Sequence, residues 1–262
     1  MSALDAIPTH VTEVARVERV SARFVRVTLA GGLDGFRPVG PDQFVYVLLP
    51  PPGRVELTVD ATFTWTRYEE LAEEDRPVGA YYTVREHRPD PGEVDLDVFL
   101  HDPAGSGSGW AATPEPGAPA ALWGPRTAWQ PPPGTERWLL VVDETGVPAL
   151  EAVVASRPPE LPVTAVIEAS DPADLSHLDL DAEVHLVWRT GARAGTTDLL
   201  VDAVRALDLA PEGLYAWGGA ESRAMRDVRR HLRTEGGLDR EQVSMTPYWR
   251  HPRHAADEME ED

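Results

Sequence analysis

The first half of the chain is a series of short segments in which apolar and polar residues alternate. A period of two is typical of β-strands that bury one face, and Gly, Pro and Asp separate the segments as they do at turns. Many short strands of this kind predict an antiparallel β-barrel. The predicted strands are two within VTEVARVERVSARFVRVTLAG (11–31), then QFVYVLLP (43–50), GRVELTV (53–59), AYYTVREH (80–87) and GEVDLDVFLHD (92–102).

Two segments interrupt the pattern. WTRYEELAEEDRP (65–77) has no alternation and reads as an insertion, either helical or an irregular loop. WQPPPGTER (129–137) carries three consecutive prolines, which form a stiff and extended connector. We therefore divide the chain into a first domain, 1–130, and a second domain, 131–262.

The second half alternates continuous apolar runs with amphipathic segments. Apolar runs suit strands that are buried on both faces, and alternation of strands with helices predicts a parallel sheet with crossover helices. The predicted strands are WLLVVD (138–143), VTAVIEAS (163–170), VHLVWR (184–189) and LYAWGG (214–219). The predicted helices are VPALEAVVASR (147–157), TTDLLVDAVRAL (196–207) and a basic one at 221–235.

The basic helix has a clear apolar side. Its periodicity places Met225, Val228 and Leu232 toward the core. The outward residues are then Arg223, Arg226, Arg230 and Arg233, a solvated face that could also contact nucleotide phosphates. Since α/β sheets bind ligands beyond the carboxyl ends of their strands, the fold predicts a ligand cleft where the two domains meet.

Composition excludes several classes of protein. The net charge of −20 argues against a nucleic-acid binder, which needs a basic surface. The absence of cysteine excludes disulfides, cysteine-ligated metal and thiol catalysis, so any redox chemistry needs an organic cofactor. The histidines show no metal-ligand spacing, and we assign no metal site.

The N-terminal segment has no signal-peptide pattern, and no apolar run reaches the ~18 residues that a membrane helix needs. We therefore expect a cytoplasmic protein. The acidic end, DEMEED, reads as a solvated tail.

The segment AYYTVRE (80–86) combines aromatic rings, a hydroxyl and a fixed cation. Strand alternation would place Tyr81, Thr83 and Arg85 on one face and Tyr82 and Val84 on the other. Tyr and Thr are also good strand residues, so ordinary cross-strand packing explains the segment equally well.

The segment HDPAGSGSGWA (101–111) is rich in small residues. Glycines let backbone N–H groups approach an anion, and Ser106 and Ser108 add hydroxyl donors, although a flexible turn is the alternative. It is not a P-loop, because the GK[ST] ending is absent. Four further segments complete the set of motifs. DETGVPAL (143–150) and LYAWGGAES (214–222) lie where a predicted strand gives way to a helix, LWGPRTAW (122–129) is a turn that contains an arginine, and PYWRH (247–251) lies near the end of the chain.

These six motifs, in this order, resemble the siderophore-interacting protein family, the flavin-dependent ferric-siderophore reductases of the ferredoxin–NADP reductase-like class. The resemblance covers roughly Val11 to Arg253. It implies an antiparallel β-barrel flavin domain followed by an α/β parallel-sheet domain like those that bind nucleotides.

The resemblance also implies roles for the strand residues. Tyr82 would pack against the isoalloxazine ring of FAD, Thr83 would hydrogen-bond its polar edge and Arg85 would pair with its phosphates. Val84 belongs to the same contact segment. The family loop that holds the pyrophosphate and adenosine matches His101, Gly105, Gly107, Ser108 and Trp110.

Other matched positions concern the junction and the acceptor. Thr145 matches a position near the flavin. Arg126 and Arg250 match positions of a basic siderophore pocket, and Trp249 would lie near the ring; Arg253 and His254 are weaker candidates.

The chain departs from the family pattern at several positions. Ala80 replaces an arginine that contacts phosphate, and Asp102 and Gly146 replace Gly and Ala. Phe44 and Tyr46 stand where relatives often carry a basic residue that reaches the iron chelate.

The activity implied is electron transfer from NAD(P)H or ferredoxin through FAD to a ferric siderophore, with release of Fe(II). Two alternatives stay open. One is a flavin reductase for another acceptor, such as a free flavin, a quinone or another ferric complex. The other is a non-catalytic protein that binds a flavin or an iron chelate.

Overall fold

A computed structural model of the protein describes residues 6–101 and 105–252. Asp102, the Ser106 side chain, Arg253 and His254, which the sequence singled out, lie outside the described part. The chain divides into two compact units, Met1–Thr127 and Ala128–Asp262. Each unit contains one sheet.

The first unit is the predicted antiparallel barrel. Its strands are β1 (Thr9–Arg19), β2 (Phe24–Ala30), β3 (Phe44–Leu49), β4 (Val78–Thr83), β5 (Glu86–Arg88), β6 (Glu93–Phe99) and β7 (Pro119–Arg126). They lie in the order β4-β3-β7-β1-β2-β6-β5, and every neighbouring pair is antiparallel. The two edge strands, β4 and β5, are joined by only two residues, so the sheet must curl round and close.

Alternation explains how the barrel strands are held. On β2 and β6 the apolar residues enter the barrel core, while the intervening polar residues pair across the strands on the other face. Arg26 forms a two-pronged ion pair with Asp97, both bonds being 2.7 Å, and Thr28 donates to Asp95 at 2.7 Å. These bonds satisfy carboxylates that are almost fully buried.

Two predictions in this unit were wrong. The segment 53–59 is irregular and not a strand, because β3 already pairs with β4 and β7 on its two sides; Val55 is 82% exposed. The glycine–serine segment is not a loop throughout: helix α2 (Ser106–Ala112) begins within it. The insertion contains helix α1 (Trp65–Glu70) and a single 3-10 turn, Glu73–Asp75.

The second unit is the predicted parallel α/β sheet. Its strands are β8 (Arg137–Asp143), β9 (Val163–Ala169), β10 (Glu183–Trp188), β11 (Leu214–Glu221) and β12 (Val243–Trp249). Their order is β10-β9-β8-β11-β12, with all pairs parallel. The helices are α3 (Val147–Ala155), α4 (Leu199–Arg205) and α5 (Ser222–Thr234). The chain reverses its direction across the sheet between β8 and β11, which is the switch point where such folds bind ligands.

The basic helix confirms its predicted core face. Met225, Val228 and Leu232 of α5 are buried in the sheet core. The outward arginines include three exposed ones, and the fourth, Arg223, pairs with Asp198 at 2.8 Å.

Strand β10 differs from its prediction as a strand buried on both faces. It is the edge strand of the sheet, and Val184, Leu186 and Trp188 expose 38%, 43% and 37% of their surface. A continuous apolar run does not distinguish a central strand from an edge strand that is covered on one face only.

In the part of the chain that the structure describes, no helix combines the length and the apolar character needed to cross a membrane. Nor do the described residues contain a group of three or more His, Asp or Glu side chains that could hold a metal ion.

Candidate functional site

Strand β4 carries the aromatic segment that the sequence singled out. Tyr81 leaves half of its surface exposed and meets the rings of Phe44 and Tyr46 edge to face, with centroids 5.8 and 4.8 Å away. Tyr82 is partly buried and packs against the barrel core. Burial raises the pKa of the Tyr82 phenol above its ordinary value, so this side chain is neutral at physiological pH.

The alternation predicted through Arg85 ends earlier than expected. β4 ends at Thr83, and both Thr83 and Val84 are buried. The reason is barrel closure: the N–H of Val84 still donates to Gln43 O at 2.8 Å, whereas the N–H of Arg85 donates to Asp95 O of β6 at 2.9 Å. Arg85 therefore lies at the point where the chain crosses from one edge of the sheet to the other.

Helix α2 lies directly against β4. A Cβ atom built at Gly107 would stand 2.1 Å from Tyr82 Oη and 2.8 Å from Cε2 and Cζ of that ring. Real Cβ atoms do not approach so closely, so only glycine allows this contact. The two motifs that would form the cofactor site are thus adjacent in the fold.

The Ser108 side chain closes the first turn of α2. Ser108 Oγ accepts a hydrogen bond from Gly105 N at 2.9 Å and lies 3.1 Å from His101 Nε2. Ser108 is buried, whereas His101 and Gly105 are exposed. Trp110 packs against the barrel core. Ser108 consequently orients the first turn of α2. The exposed residues Gly105 and His101 form the outer surface of that turn.

Arg126, at the end of β7, lies in an aromatic cluster. Its guanidinium carbon is 4.8 Å from the ring centroid of Phe44, 5.0 Å from that of Tyr81 and 4.6 Å from that of Trp123. Rings attract a cation through their quadrupole, so three rings hold the guanidinium in place. Its Nε is buried and has no hydrogen-bond partner among the described residues. The residue as a whole is only half-buried, so a ligand would have to meet the guanidinium through its other N–H groups.

Phe44 and Tyr46 belong to this aromatic cluster. Phe44 pairs with Arg126 across β3 and β7, and Tyr46 meets the ring of Trp65 at 5.3 Å. Burial, followed by the neighbouring Tyr68 and Tyr81 side chains, raises the pKa of Tyr46. Phe44 and Tyr46, which the sequence singled out, are therefore neutral rings in the same cluster as the Arg126 cation.

In the second unit, Asp143 lies at the carboxyl end of β8 and accepts four hydrogen bonds. Its Oδ1 accepts from the N–H and the hydroxyl of Thr145, at 2.9 and 2.5 Å. Its Oδ2 accepts from Glu221 N at 3.1 Å and from Trp249 Nε1 at 2.7 Å. One buried carboxylate thereby joins the ends of β8, β11 and β12, and it brings together the predicted site residues Thr145 and Trp249.

Burial, together with the charge of Glu144, raises the pKa of Asp143 to about 6. The donors Thr145 and Trp249 act in the opposite direction, because they favour the charged form.

A buried ion network lies beside Asp143. Arg189, which follows β10, donates to Glu144 at 2.6 Å and to Glu168 at 2.6 Å. Glu144 also accepts from the N–H and hydroxyl of Ser170, at 3.0 and 3.1 Å. Separating a buried carboxylate from its cation leaves an uncompensated charge, which costs several kcal/mol. This network therefore fixes the ends of β8, β9 and β10 relative to one another.

Glu221 ends β11 and caps α5. Its Oε2 accepts from the N–H groups of Arg223 and Ala224, at 2.7 and 3.3 Å, and its Oε1 accepts from His251 N at 3.0 Å. The carboxylate is buried and favourable at a helix N-terminus.

Sequence reasoning assigned no role to the five buried charged residues at these strand ends. The signal was present, because each residue stands at or directly after the end of an apolar run. They are Asp143, Glu144, Glu168, Arg189 and Glu221. Arg250, in contrast, is exposed directly after β12.

Comparison with known proteins identifies both halves of the chain. Residues 13–129 match the siderophore-interacting FAD-binding domain, and residues 135–252 match the siderophore-interacting protein model. An uncharacterized protein of Mycobacterium tuberculosis is 30% identical over 259 residues, which is 94% of this chain and 92% of that protein.

Two relatives have names that refer to siderophores. A ferric vibriobactin reductase of Vibrio cholerae is 25% identical over 94% of this chain and 91% of its own length. The crystal structure of a siderophore utilization protein from T. fusca superimposes with a TM-score of 0.80, at 29% identity and over 93% of each chain. The chain therefore belongs to the siderophore-interacting protein family, as its six motifs predicted.

Proposed function

We propose that this protein is an FAD-dependent reductase that transfers electrons from NAD(P)H, or from a ferredoxin, to a ferric siderophore and so releases Fe(II). Membership of the family supports the flavin and the siderophore. The ferric vibriobactin reductase among its relatives supports the reaction. The proposed location is the cytoplasm, where pyridine nucleotides are supplied.

The residues of the first unit fit FAD. The contact between Gly107 and Tyr82 brings an aromatic strand next to the glycine-rich start of a helix. A dinucleotide needs both features in one place, an aromatic surface for its ring and small residues for its phosphates. Tyr82, Thr83 and Val84 would hold the flavin ring, and Arg85 its phosphates. His101, Gly105, Gly107, Ser108 and Trp110 would form the seat for the rest of the cofactor.

Bound FAD supplies the ability to take two electrons together and to give them up singly. The residues of the chain need only bind, orient and exclude water. Neutral Tyr82 offers a flat face without charge. Buried Ser108 fixes the first turn of α2 through Gly105, so that backbone groups are arranged before the cofactor arrives.

The observation that carries the acceptor proposal is the position of Arg126. Three rings hold the cation of a residue that is only half-buried. A fixed guanidinium beside aromatic surface suits a chelate that is anionic and aromatic, such as a catecholate. Arg250 and Trp249 remain proposed acceptor contacts on the second unit, and Thr145 a proposed flavin contact.

The test is steady-state reduction of a ferric catecholate by the FAD-loaded protein, with ferricyanide as a control acceptor. Arg126→Ala should raise KM for the catecholate at least about tenfold, the scale of one charge-assisted bond, and leave ferricyanide reduction unchanged. Arg126→Lys should not restore KM, because an ammonium lacks the planar stacking of the guanidinium.

Two outcomes would contradict the proposal. A protein that does not bind FAD, or binds it without reducing any acceptor, would favour a non-catalytic role. A protein that reduces quinones or free flavins but no ferric chelate would be a reductase with another acceptor, for which the neutral rings of Phe44 and Tyr46 would account.

A further inference from the structure

The switch point of the parallel sheet is where an α/β fold holds a dinucleotide. The pyrophosphate normally binds unpaired backbone N–H groups at the start of the helix that follows a central strand. In this chain the switch point lies between the ends of β8 and β11. The state of the N–H groups there decides whether a pyrophosphate can bind.

On the β8 side these donors are already bonded. The N–H of Thr145 donates to Asp143 Oδ1 at 2.9 Å. The following residue, Gly146, packs so closely against β11 that no ligand group fits between them: a Cβ atom at Gly146 would lie 2.2 Å from Gly219 O. Pro148, in the first turn of α3, has no N–H to offer.

On the β11 side a carboxylate fills the anion position of α5. Glu221 accepts from the N–H groups of Arg223 and Ala224, and its other oxygen accepts from His251 N. Its own N–H donates to Asp143. The helix N-terminus therefore already carries a negative group, and a pyrophosphate would have to displace it.

The charges at the carboxyl ends of the strands also disfavour a bound pyrophosphate. Four carboxylates lie at or just after the ends of β8, β9 and β11, namely Asp143, Glu144, Glu168 and Glu221, and each is almost fully buried. Arg189 is bonded to two of them, at 2.6 Å each. Like charges at short range in a low dielectric repel strongly, so the edge disfavours a dianionic group.

Resting on the proposed reductase function, we infer that Asp143 and Glu221 are specificity-determining residues that exclude the pyrophosphate of the donor from the switch point. The donor is then a reduced nicotinamide that is recognised through its ring and ribose. With FAD bound, the donor would give up a hydride, which is two electrons and a proton, and leave as the oxidised cation; two ferric ions would take the electrons one at a time, and the proton would pass to water. The adenylate half of the donor contributes little.

The experiment compares NADH with reduced nicotinamide mononucleotide, which lacks the adenylate half, as donors to the FAD-loaded protein. We expect kcat/KM values within about threefold of each other. An adenylate held by one charge-assisted bond would make NADH at least about tenfold better, and that result would overturn the inference.

A variant makes the test sharper. Glu221→Ser keeps a residue that caps helices but removes the carboxylate, so that a pyrophosphate has only a neutral hydroxyl to displace at the start of α5. We expect KM for NADH to fall about tenfold, with kcat and the KM for the mononucleotide unchanged. Glu241→Ser removes the same charge from an exposed site before β12, at the opposite end of the sheet, and should change neither.

The outcomes separate this inference from the proposed function. If neither nucleotide reduces the flavin, while the dithionite-reduced protein still reduces a ferric siderophore, the inference fails and the reductase stands with a protein donor. If Glu221→Ser folds with its FAD but shows no change in KM for NADH, the carboxylate does not exclude the pyrophosphate. A protein that binds no FAD refutes the proposed function itself.

Discussion

The contact between Gly107 and Tyr82 makes a sharp prediction about the cofactor seat. In Gly107→Ala the new methyl group would stand 2.1 Å from Tyr82 Oη, where at least 3 Å is needed. Either α2 or the tyrosine must move by about 1 Å. Overpacking of this kind costs about 1–3 kcal/mol.

The expected effects follow from that displacement. The free energy of unfolding should fall by about 1–3 kcal/mol, which corresponds to a decrease of Tm of about 3–10 °C for a domain of this size. FAD affinity should also fall, by about tenfold or more, because both halves of the proposed seat shift. Thermal unfolding of the FAD-free protein and a fluorescence titration with FAD measure the two effects separately.

Two further variants test the cause. Tyr82→Phe removes the closest atom, so the double variant Gly107→Ala/Tyr82→Phe should recover part of the lost stability, a coupling that a double-mutant cycle detects. Gly35→Ala is the matched control, because its Cβ would meet only His10 Cε1 at 3.7 Å. If Gly107→Ala is as stable as the parent and binds FAD equally well, α2 does not lie against β4 as described.

Three other predictions concern the charged residues. Arg189→Met leaves two buried carboxylates without their cation and should lower the free energy of unfolding, measured in urea, by about 3–5 kcal/mol. The control, Arg205→Met, breaks an exposed ion pair and should lower it by less than about 1 kcal/mol. Equal losses in the two variants would contradict the buried network. Because the pKa of Asp143 is raised from 3.8 to about 6, its stabilising contribution is complete below about pH 4 and is lost as pH rises through about 6. Asp143→Asn should therefore remove about 3 kcal/mol of pH dependence in that window, and an unchanged pH profile would show that its four donors keep the pKa normal. Arg85→Ala should weaken FAD binding more than Arg126→Ala does, and equal effects in the titration would mean that the phosphates are assigned to the wrong residue.

The periodicity of the sequence predicted both sheets because burial imposes it. In the barrel, one face of each strand is buried, and the period of two is visible. In the second unit, strands covered by helices on both faces become continuous apolar runs. Strand β12 was missed because VSMTPYW follows neither pattern: it lies at the edge of the sheet, where β11 is its one neighbour among the described strands.

Helix α2 was missed for a different reason. Glycine and serine are poor helix formers, so SGSGWAA reads locally as a loop. Its helical state comes from tertiary packing, in which Gly107 fits under Tyr82 and Trp110 joins the core. Local propensity cannot anticipate such a contact.

The candidate site was predictable only in part. Motif resemblance singled out Tyr82, Arg85 and Arg126, whose roles stay predictions. The role of Asp143 was not predictable, because its four donors come from Thr145, Glu221 and Trp249, which lie up to 106 positions away in the sequence. Hydrogen bonds between such distant residues depend on the order of the strands, and the sequence pattern does not contain that order.

The central claim is that bound FAD reduces a ferric siderophore on this protein, and a single-turnover experiment tests it most directly. FAD-loaded protein is reduced with dithionite under anaerobic conditions, freed of reductant and mixed with a ferric catecholate siderophore, while flavin absorbance and a ferrous-iron indicator are followed together. The account predicts reoxidation of the flavin with formation of about two ferrous ions per flavin, since a flavin carries two electrons and ferric iron accepts one. A reduced flavin that persists unchanged in the presence of the ferric siderophore would contradict it.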